Sequence, residues 1–540
     1  MQFNIADLFE SLVDAIPDRP ALVSGSRRLS YRELDVRANR LASFLRSRGV
    51  GPGSHVGLHL FNGAEFLEGM LAAFKLRAVP ININYRYVED ELGYLCENAD
   101  LVAIVTQREF AAVIERVAPR CPKLATRILV EEGAPPAQFG SEAFDYEDVV
   151  ASGNPSRDFG PRSGDDRYII YTGGTTGLPK GVIWRHEDVF FAGLQGGAAG
   201  GTPIERPEEL AANVSAGRLM ALTMLPAAPF IHGAAQWTAL ICLFSGGKVV
   251  LQPGKSFDAV RVLELVGEEK ATTITLVGDA MARPLVDALT RAGAAYDTST
   301  LMVIASAGAV LSPTVKEQLR AALPSTMVLN SFGSTEAGHQ GSAMPGSETG
   351  VEGRPSFYMD AGTNAVFDDD NRPLAPGSGQ VGWLARGGRV PLGYYKDEEK
   401  TRARFVAIDG VRWVLPGDRA TVEADGRITV FGRGSGCINT GGEKVFPEEV
   451  EEVLKSHPDV FDALVVGIED ERWMQRVAAV VEPRRGRAPT LEELQEHCRK
   501  HVAGYKAPRQ LALVDKVHRF PTGKPDYAWA KRIAQGESPS

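Results

Sequence analysis

The chain has 540 residues, 44% hydrophobic and 24% charged, which is ordinary for a globular protein long enough for several domains and a cleft between them. A formal net charge of −9 at pH 7 gives no support to non-specific nucleic-acid or anionic-membrane binding, and no run of about 18 apolar residues suggests a membrane span. The five cysteines, Cys96, Cys121, Cys242, Cys437 and Cys498, are scattered and form no CxxC pair, which argues against a disulfide framework or a zinc site and for a reduced cytoplasmic compartment.

The N-terminus "MQFNIADLFE" carries early acidic residues and lacks the basic segment and apolar core of a signal peptide. In "SYRELDVRANRLASFLRSRG" (30–49), Ser30 and Glu33 are spaced as a capping box and Leu34, Ala38, Leu41 and Leu45 share one face, which predicts an amphipathic helix ending at Gly49. An alternating strand "HVGLHL" (55–60), a helical "EFLEGMLAAFKL" (65–76) and "AVPINI" follow, and short apolar runs recur at 101–105, 248–252, 271–277, 301–305 and 327–331. Strands alternating with helices imply mainly parallel sheets, which bind ligands at the carboxyl ends of their strands. From about 360 the texture turns to hairpin material rich in Asp, Pro and Gly. Beyond "GRGSGCINTGG" (432–442) comes a helix, two strands, a second capping box at Thr490 and Glu493, and the strand "QLALV". That end reads as a small α+β unit behind a glycine-rich hinge. The basic cluster "PRRGR" (483–487) reads as a solvated loop.

"YTGGTTGLPKG" (171–181) lies directly after the apolar "RYII". A Walker loop needs Gly before its Lys and Ser or Thr after it, whereas Lys180 lies between Pro179 and Gly181. A dinucleotide GxGxxG is absent as well. What remains is a loop whose glycines (Gly173, Gly174, Gly177) let backbone N–H groups approach oxygen. Its hydroxyls (Thr172, Thr175, Thr176) add donors and Lys180 adds charge, a composition that suits a polyphosphate clamp. The alternative is an ordinary surface loop.

This loop resembles the phosphate loop of the adenylate-forming enzymes: acyl-CoA synthetases, beetle luciferases and the adenylation domains of peptide synthetases. "FGSTEAG" (332–338), "LPGD" (415–418), "GRGSGCINTGGEKVFPEEVE" (432–451) and "PTGKPD" (521–526) are similar to the family's later motifs, in order. The resemblance implies a large α/β N-terminal domain over 1–433, with mainly parallel sheets flanked by helices and a β-rich subdomain. A small mobile α+β C-terminal domain over 434–540 carries the catalytic lysine. The implied reaction joins a carboxylate to ATP, giving an acyl adenylate and pyrophosphate, and passes the acyl group to a thiol. Negative charge meets negative charge, so positioning and neutralisation carry the catalysis.

By the same resemblance, Lys524 bridges carboxylate and α-phosphate. Glu336 holds magnesium, with Thr335 and Thr175 as nearby oxygen donors. Phe332 packs on adenine within Asn330, Ser331, Phe332, Gly333 and Ser334, while Ala307, Gly308 and Ala309 let substrate and adenine pass close to the backbone. Asp418 binds the ribose hydroxyls and Arg433 stands opposite. His232, with Phe230 and Trp237, lies beside the acyl and thiol pocket, although a histidine satisfied in the core is the competing reading. Gly436 takes the hinge position, where relatives have Asp or Lys, and Asn439 stands where a Lys is common. Rotation about the hinge withdraws Lys524 and brings Thr440, Gly441 and Gly442 to the thiol channel.

The expectation is therefore a cytoplasmic acyl-CoA synthetase using ATP, Mg2+ and CoA, acting on a fatty acid or a steroid-side-chain acid, with a homodimer compatible with it. An aryl-CoA ligase of the same fold is the nearest alternative. A luciferase-type oxygenase shares every motif, and a non-catalytic acyl-nucleotide-binding protein is the rival from another class. No carrier-protein domain with an attachment Ser follows the last motif, which favours free CoA over a tethered thiol.

Overall fold

The computed structural model describes residues 1–130, 143–173, 178–198, 200–291, 295–308, 311, 313–343, 346, 350, 356–433, 438–445, 447–518 and 526–537, without the side chains of 173, 279, 313, 314, 432, 433, 448 and 452. Among them the strands form three sheets. The first runs Gly393–Tyr394, Pro179–Arg185, Arg167–Gly173, Val79–Asn82, His55–His59, Leu101–Gln107, Thr126–Val130, Ala143–Asp145. It is parallel from Arg167–Gly173 onward and antiparallel at the Pro179–Arg185 and Gly393–Tyr394 edge.

The second sheet places Pro20–Ser24, Lys248–Leu251, Thr223–Pro226, Thr273–Leu276, Val303–Ser306 and Met327–Ser334 side by side in parallel. It then turns antiparallel through Gly338–Ala343, Ser356–Met359, Ile428–Arg433 and Asp418–Val422. The predicted α/β body and β-rich subdomain are thus two ends of one continuous sheet. The hairpin texture after 360 folds as Asn364–Phe367 against Gly382–Gly387.

Periodicity decides where the core sits. The helix Tyr31–Ser47 carries the predicted capping box, with the Ser30 hydroxyl bonded to the Glu33 N–H and the Glu33 side chain returning to Ser30 N, and it buries Tyr31, Leu34, Ala38, Leu41 and Leu45. Every residue of Ala64–Lys75 except Glu65 is buried, as expected for a helix without a broad polar face. Its Lys75 ammonium is neutralised by Glu10 at 2.5 Å and Asp35 at 2.6 Å.

The third sheet holds Glu443–Val445, Ile438–Thr440, Met474–Pro483, Val460–Asp470 and Gln510–Leu513. The helices Pro447–Ser456 and Leu491–His501 cover it over a core including Val450, Leu454, Val465, Val477 and Leu494. The second predicted capping box closes the start of Leu491–His501 at Thr490 and Glu493.

Candidate active site

The parallel strands of the second sheet end in register. Leu276 pairs with Ser306 and Ser306 with Asn330, so the segments that follow them form one edge, where open α/β sheets take their ligands. Ala307 N donates to Leu276 O at 3.1 Å and Gly308 turns through a φ of +80°. Asn330 Oδ1 is buried with no hydrogen-bond partner among the described residues, an unsatisfied amide oxygen beside Ala307 and Gly308. Such an atom calls for a donor from outside the chain. Phe332 packs on Phe357 at 5.2 Å between ring centroids. Gly333 can only be glycine, since a Cβ there would lie 2.3 Å from Gly338 O. Ser331 and Ser334 bond locally, to the Ser342 hydroxyl and to Ala337 N.

The turn after this strand presents Glu336, buried at 8% exposure. Its Oε1 accepts from the Tyr394 hydroxyl at 3.3 Å, and Thr335 O accepts from Trp184 Nε1 at 2.9 Å. A single hard carboxylate flanked by hydroxyls fits magnesium, which keeps few protein ligands when phosphates supply the rest. Asp418, also buried, lies directly across the ladder from Arg433.

Thr172 and Gly173 leave one strand and face Lys180 and Pro179 across the hairpin. Lys180 Nζ stands 3.7 Å from Asp397 Oδ2 and 5.7 Å from the Tyr394 ring centroid. Burial and the neighbouring Lys400 ammonium lower its pKa to about 7, against the opposing pull of Asp397 and Glu336.

A second group forms where the small α+β unit meets the large sheets. Asn62 holds the turn before His232 by accepting from Phe230 N at 2.8 Å and donating to Ala228 O at 3.0 Å. Asn82 donates to Ile231 O at 2.6 Å and Tyr171 O at 2.8 Å. His232 is thereby presented 3.8 Å from Glu443 Oε1, which Arg86 also contacts. Burial alone would raise the Glu443 carboxyl, but His232, Arg86 and Lys506 outweigh it and hold it below its ordinary value. Gly441 and Gly442 have φ of +59° and +87°, and their Cα atoms face Trp473 and Val277. Thr440 is buried beside them. Phe230 stacks on Phe66 at 5.1 Å and is 1% exposed, while Trp237 packs edge-on against Trp184 at 6.4 Å.

Lys524, Gly174, Thr175, Thr176, Gly177, Ala309 and Gly436 lie outside the described residues, as does the side chain of Arg433. Sequence reasoning did not single out Asn62, Asn82, Arg86, Tyr394, Asp397, Lys400 or Glu443. Glu443 stood inside the quoted "NTGGEK", and its partners are hundreds of positions away, so no local signal marked the rest.

The AMP-binding enzyme family matches residues 9–395, and the AMP-binding enzyme C-terminal domain matches 449–524. The chain is 47% identical over 535 residues to the 3-oxocholest-4-en-26-oate–CoA ligase of Rhodococcus rhodochrous, covering 98% of this chain and 96% of that protein. It is 46% identical over 540 residues to the medium/long-chain-fatty-acid–CoA/3-oxocholest-4-en-26-oate–CoA ligase of Mycolicibacterium smegmatis, covering 99% and 97%. Among solved structures, the amide bond synthetase McbA of Marinactinospora thermotolerans matches with a TM-score of 0.77 at 23% identity over 97% of this chain and 99% of that one, and shares the fold. No helix among the described residues is long and apolar enough to cross a membrane. A match over both parts of the chain, on a fold with these segments at its sheet edge, shows that the protein belongs to the AMP-binding, adenylate-forming enzyme family.

Proposed function

We propose that the protein is an AMP-forming acyl-CoA synthetase that activates a fatty acid or a steroid-side-chain acid. Full-length similarity to relatives named as CoA ligases for both acid classes supports this reading. The observation that carries the thiol half is the seat of Gly442 and Glu443 against Val277 and His232.

In the first half-reaction the carboxylate oxygen attacks the α-phosphorus. The bond to the bridging oxygen breaks, and its electron pair leaves on pyrophosphate. Lys180 and the loop 172–177 hold the phosphates, Asp418 and Arg433 the ribose, and Ala307, Gly308, Ala309 and Asn330 to Ser334 the adenine side. Lys524 bridges carboxylate and α-phosphate. Glu336, with Thr335 and Thr175, would hold magnesium, which supplies charge neutralisation on the phosphates. In the second half-reaction the thiol sulfur attacks the acyl carbon and AMP leaves. There His232, with Glu443 behind it, and the turn Thr440–Gly442 border the sulfur's path, and Phe230 and Trp237 back the acyl side. The domain boundary near 433 and rotation about Gly436 belong to this reading, as does a reduced cytoplasmic setting. Sedimentation equilibrium tests the homodimer.

The test is pyrophosphate release with ATP and magnesium across fatty, aryl and steroid-side-chain acids, with and without CoA. Turnover that requires CoA and a fatty or steroid-side-chain acid is expected, and selective turnover of aryl acids would overturn the substrate assignment. Lys524→Ala should abolish adenylate formation while CoA acylation from supplied acyl adenylate persists. Equal loss of both half-reactions contradicts the bridging role.

A further inference from the structure

The strand Gly393–Tyr394 forms a wall that the scheme above does not use. It pairs antiparallel with Ile183 and Val182, and Tyr394 stands directly across from Val182. Leu392 N donates to Ile183 O at 2.7 Å and Tyr395 N to Gly181 O at 2.8 Å, which carries the pairing to the residue next to Lys180. Residues two apart along a strand share one face. Tyr394 and Lys180 are therefore diagonal neighbours on one face of the sheet edge, a spacing that long side chains bridge.

The tyrosine is held from several sides. Gly393 has a φ of +146°, and a Cβ would meet Thr401 Cγ2 at 2.5 Å, so the chain passes where no other residue fits. The Thr401 hydroxyl accepts from Tyr394 N at 2.9 Å and donates to Asp397 O at 2.7 Å. The ring packs edge-on against Phe405 with 5.7 Å between centroids. Fixed in this way, one side chain reaches two ions. Its ring centroid lies 5.7 Å from Lys180 Nζ, and its hydroxyl donates to Glu336 Oε1 at 3.3 Å.

Both ions are largely withdrawn from water, Lys180 at 10% exposure and Glu336 at 8%. Among the described residues the Tyr394 hydroxyl is the only donor on the Glu336 carboxylate. An ionised carboxylate accepts at about four positions, so Glu336 keeps most of its lone pairs for a cation. A ring face attracts an ammonium without consuming its N–H donors, which stay free for an anion. Tyr394 thus orients both ions and saturates neither. The geometry points to Tyr394 as a positioning residue for the phosphate pocket: its hydroxyl aims Glu336 at magnesium, and its ring seats the Lys180 ammonium toward the same polyphosphate. This rests on the ATP-dependent reading and adds to it one residue that serves both charges through different atoms.

The experiment is calorimetric titration of the full chain with ATP, without acid or CoA, in excess magnesium and again in chelator, for wild type, Tyr394→Phe and Tyr394→Leu. Tyr394→Phe removes the hydroxyl and keeps the ring. Loss of that bond to a charged group should weaken ATP binding in magnesium by about tenfold and leave binding in chelator unchanged. Tyr394→Leu should weaken binding in chelator as well, by about threefold or more, because no ring then faces Lys180. Wild-type affinity of Tyr394→Phe in magnesium overturns the assignment. So does equal weakening of Tyr394→Phe in both media, which would mark a merely structural role. Should Tyr394→Leu melt early, the two Tyr394→Phe titrations still decide. A wild type that binds ATP equally in both media removes Glu336 from the metal and this inference with it, whereas absence of ATP binding in wild type would fail the nucleotide reading itself.

Discussion

Gly442 shows how tightly the candidate thiol side depends on single atoms. Its φ of +87° is open to glycine, and an added Cβ would stand 2.6 Å from Val277 Cγ1, so Gly442→Ala strains the turn and pushes it off the sheet edge at once. In the proposed scheme that displacement falls on the second half-reaction. Single-turnover acylation of CoA from supplied acyl adenylate should drop by about 10²-fold, the usual effect of misplacement on the ångström scale, with adenylate formation spared. Equal slowing of both half-reactions would remove the turn from the thiol step. The glycine was legible within "NTGGEK", because a doubled glycine in a polar loop announces a special backbone. What it meets was not, since Val277 lies 165 positions earlier and only the folded sheet brings it there.

Helices and strands were read well where their signal is local. The Ser30 and Glu33 box sits at the start of Tyr31–Ser47 as spacing alone requires. Ser30→Ala should lower unfolding stability by about 1 kcal/mol in the large unit, read as a shift of the denaturant midpoint at constant slope. No shift would mean that tertiary packing of Tyr31, Leu34 and Leu41 alone holds the helix start. The parallel strands were equally visible, being apolar runs bounded by turns. Their partners were not. The pairing of Gly393–Tyr394 with Pro179–Arg185 joins two short segments across more than two hundred residues, and no alternation of side chains names a partner. For that reason Asp397, Tyr394 and Lys400 stayed outside the sequence reading, although "YYKDEEK" lay in plain view. Asn62 and Asn82 escaped for the related reason that their carbonyl partners, at Ala228 and Ile231, are set by topology.

At the scale of the molecule, the small unit is docked through charge. Lys506, 5% exposed, donates to Glu91 of the large unit at 2.7 Å and to Glu449 at 2.6 Å. His501 faces Asp90 at 3.6 Å, and Arg86 contacts Glu443. Burial raises the Glu449 carboxyl to about 7, Glu91 adding to the rise and Lys506 opposing it. A carboxyl raised in the docked state binds a proton on docking, so this contribution is complete at acid pH and fades as pH climbs through about 7. The docked fraction, followed by X-ray scattering or a fluorophore pair across the seam, should therefore fall as pH rises from the ordinary carboxyl range to about 7 and level off above it, by at most roughly tenfold per pH unit for one proton. Glu91→Gln should flatten that dependence by removing the competing carboxylate, and an unchanged profile would assign the titration elsewhere. The same seam has a thermal consequence. Hydration of charged groups becomes less favourable on heating, so burying Lys506 with Glu91 and Glu449 grows cheaper as temperature rises, while burial of apolar surface levels off. A seam closed by ions is thus fastened by warmth and loosened by cold, and in the proposed scheme the balance between the two half-reactions should shift toward the thiol step as the protein warms.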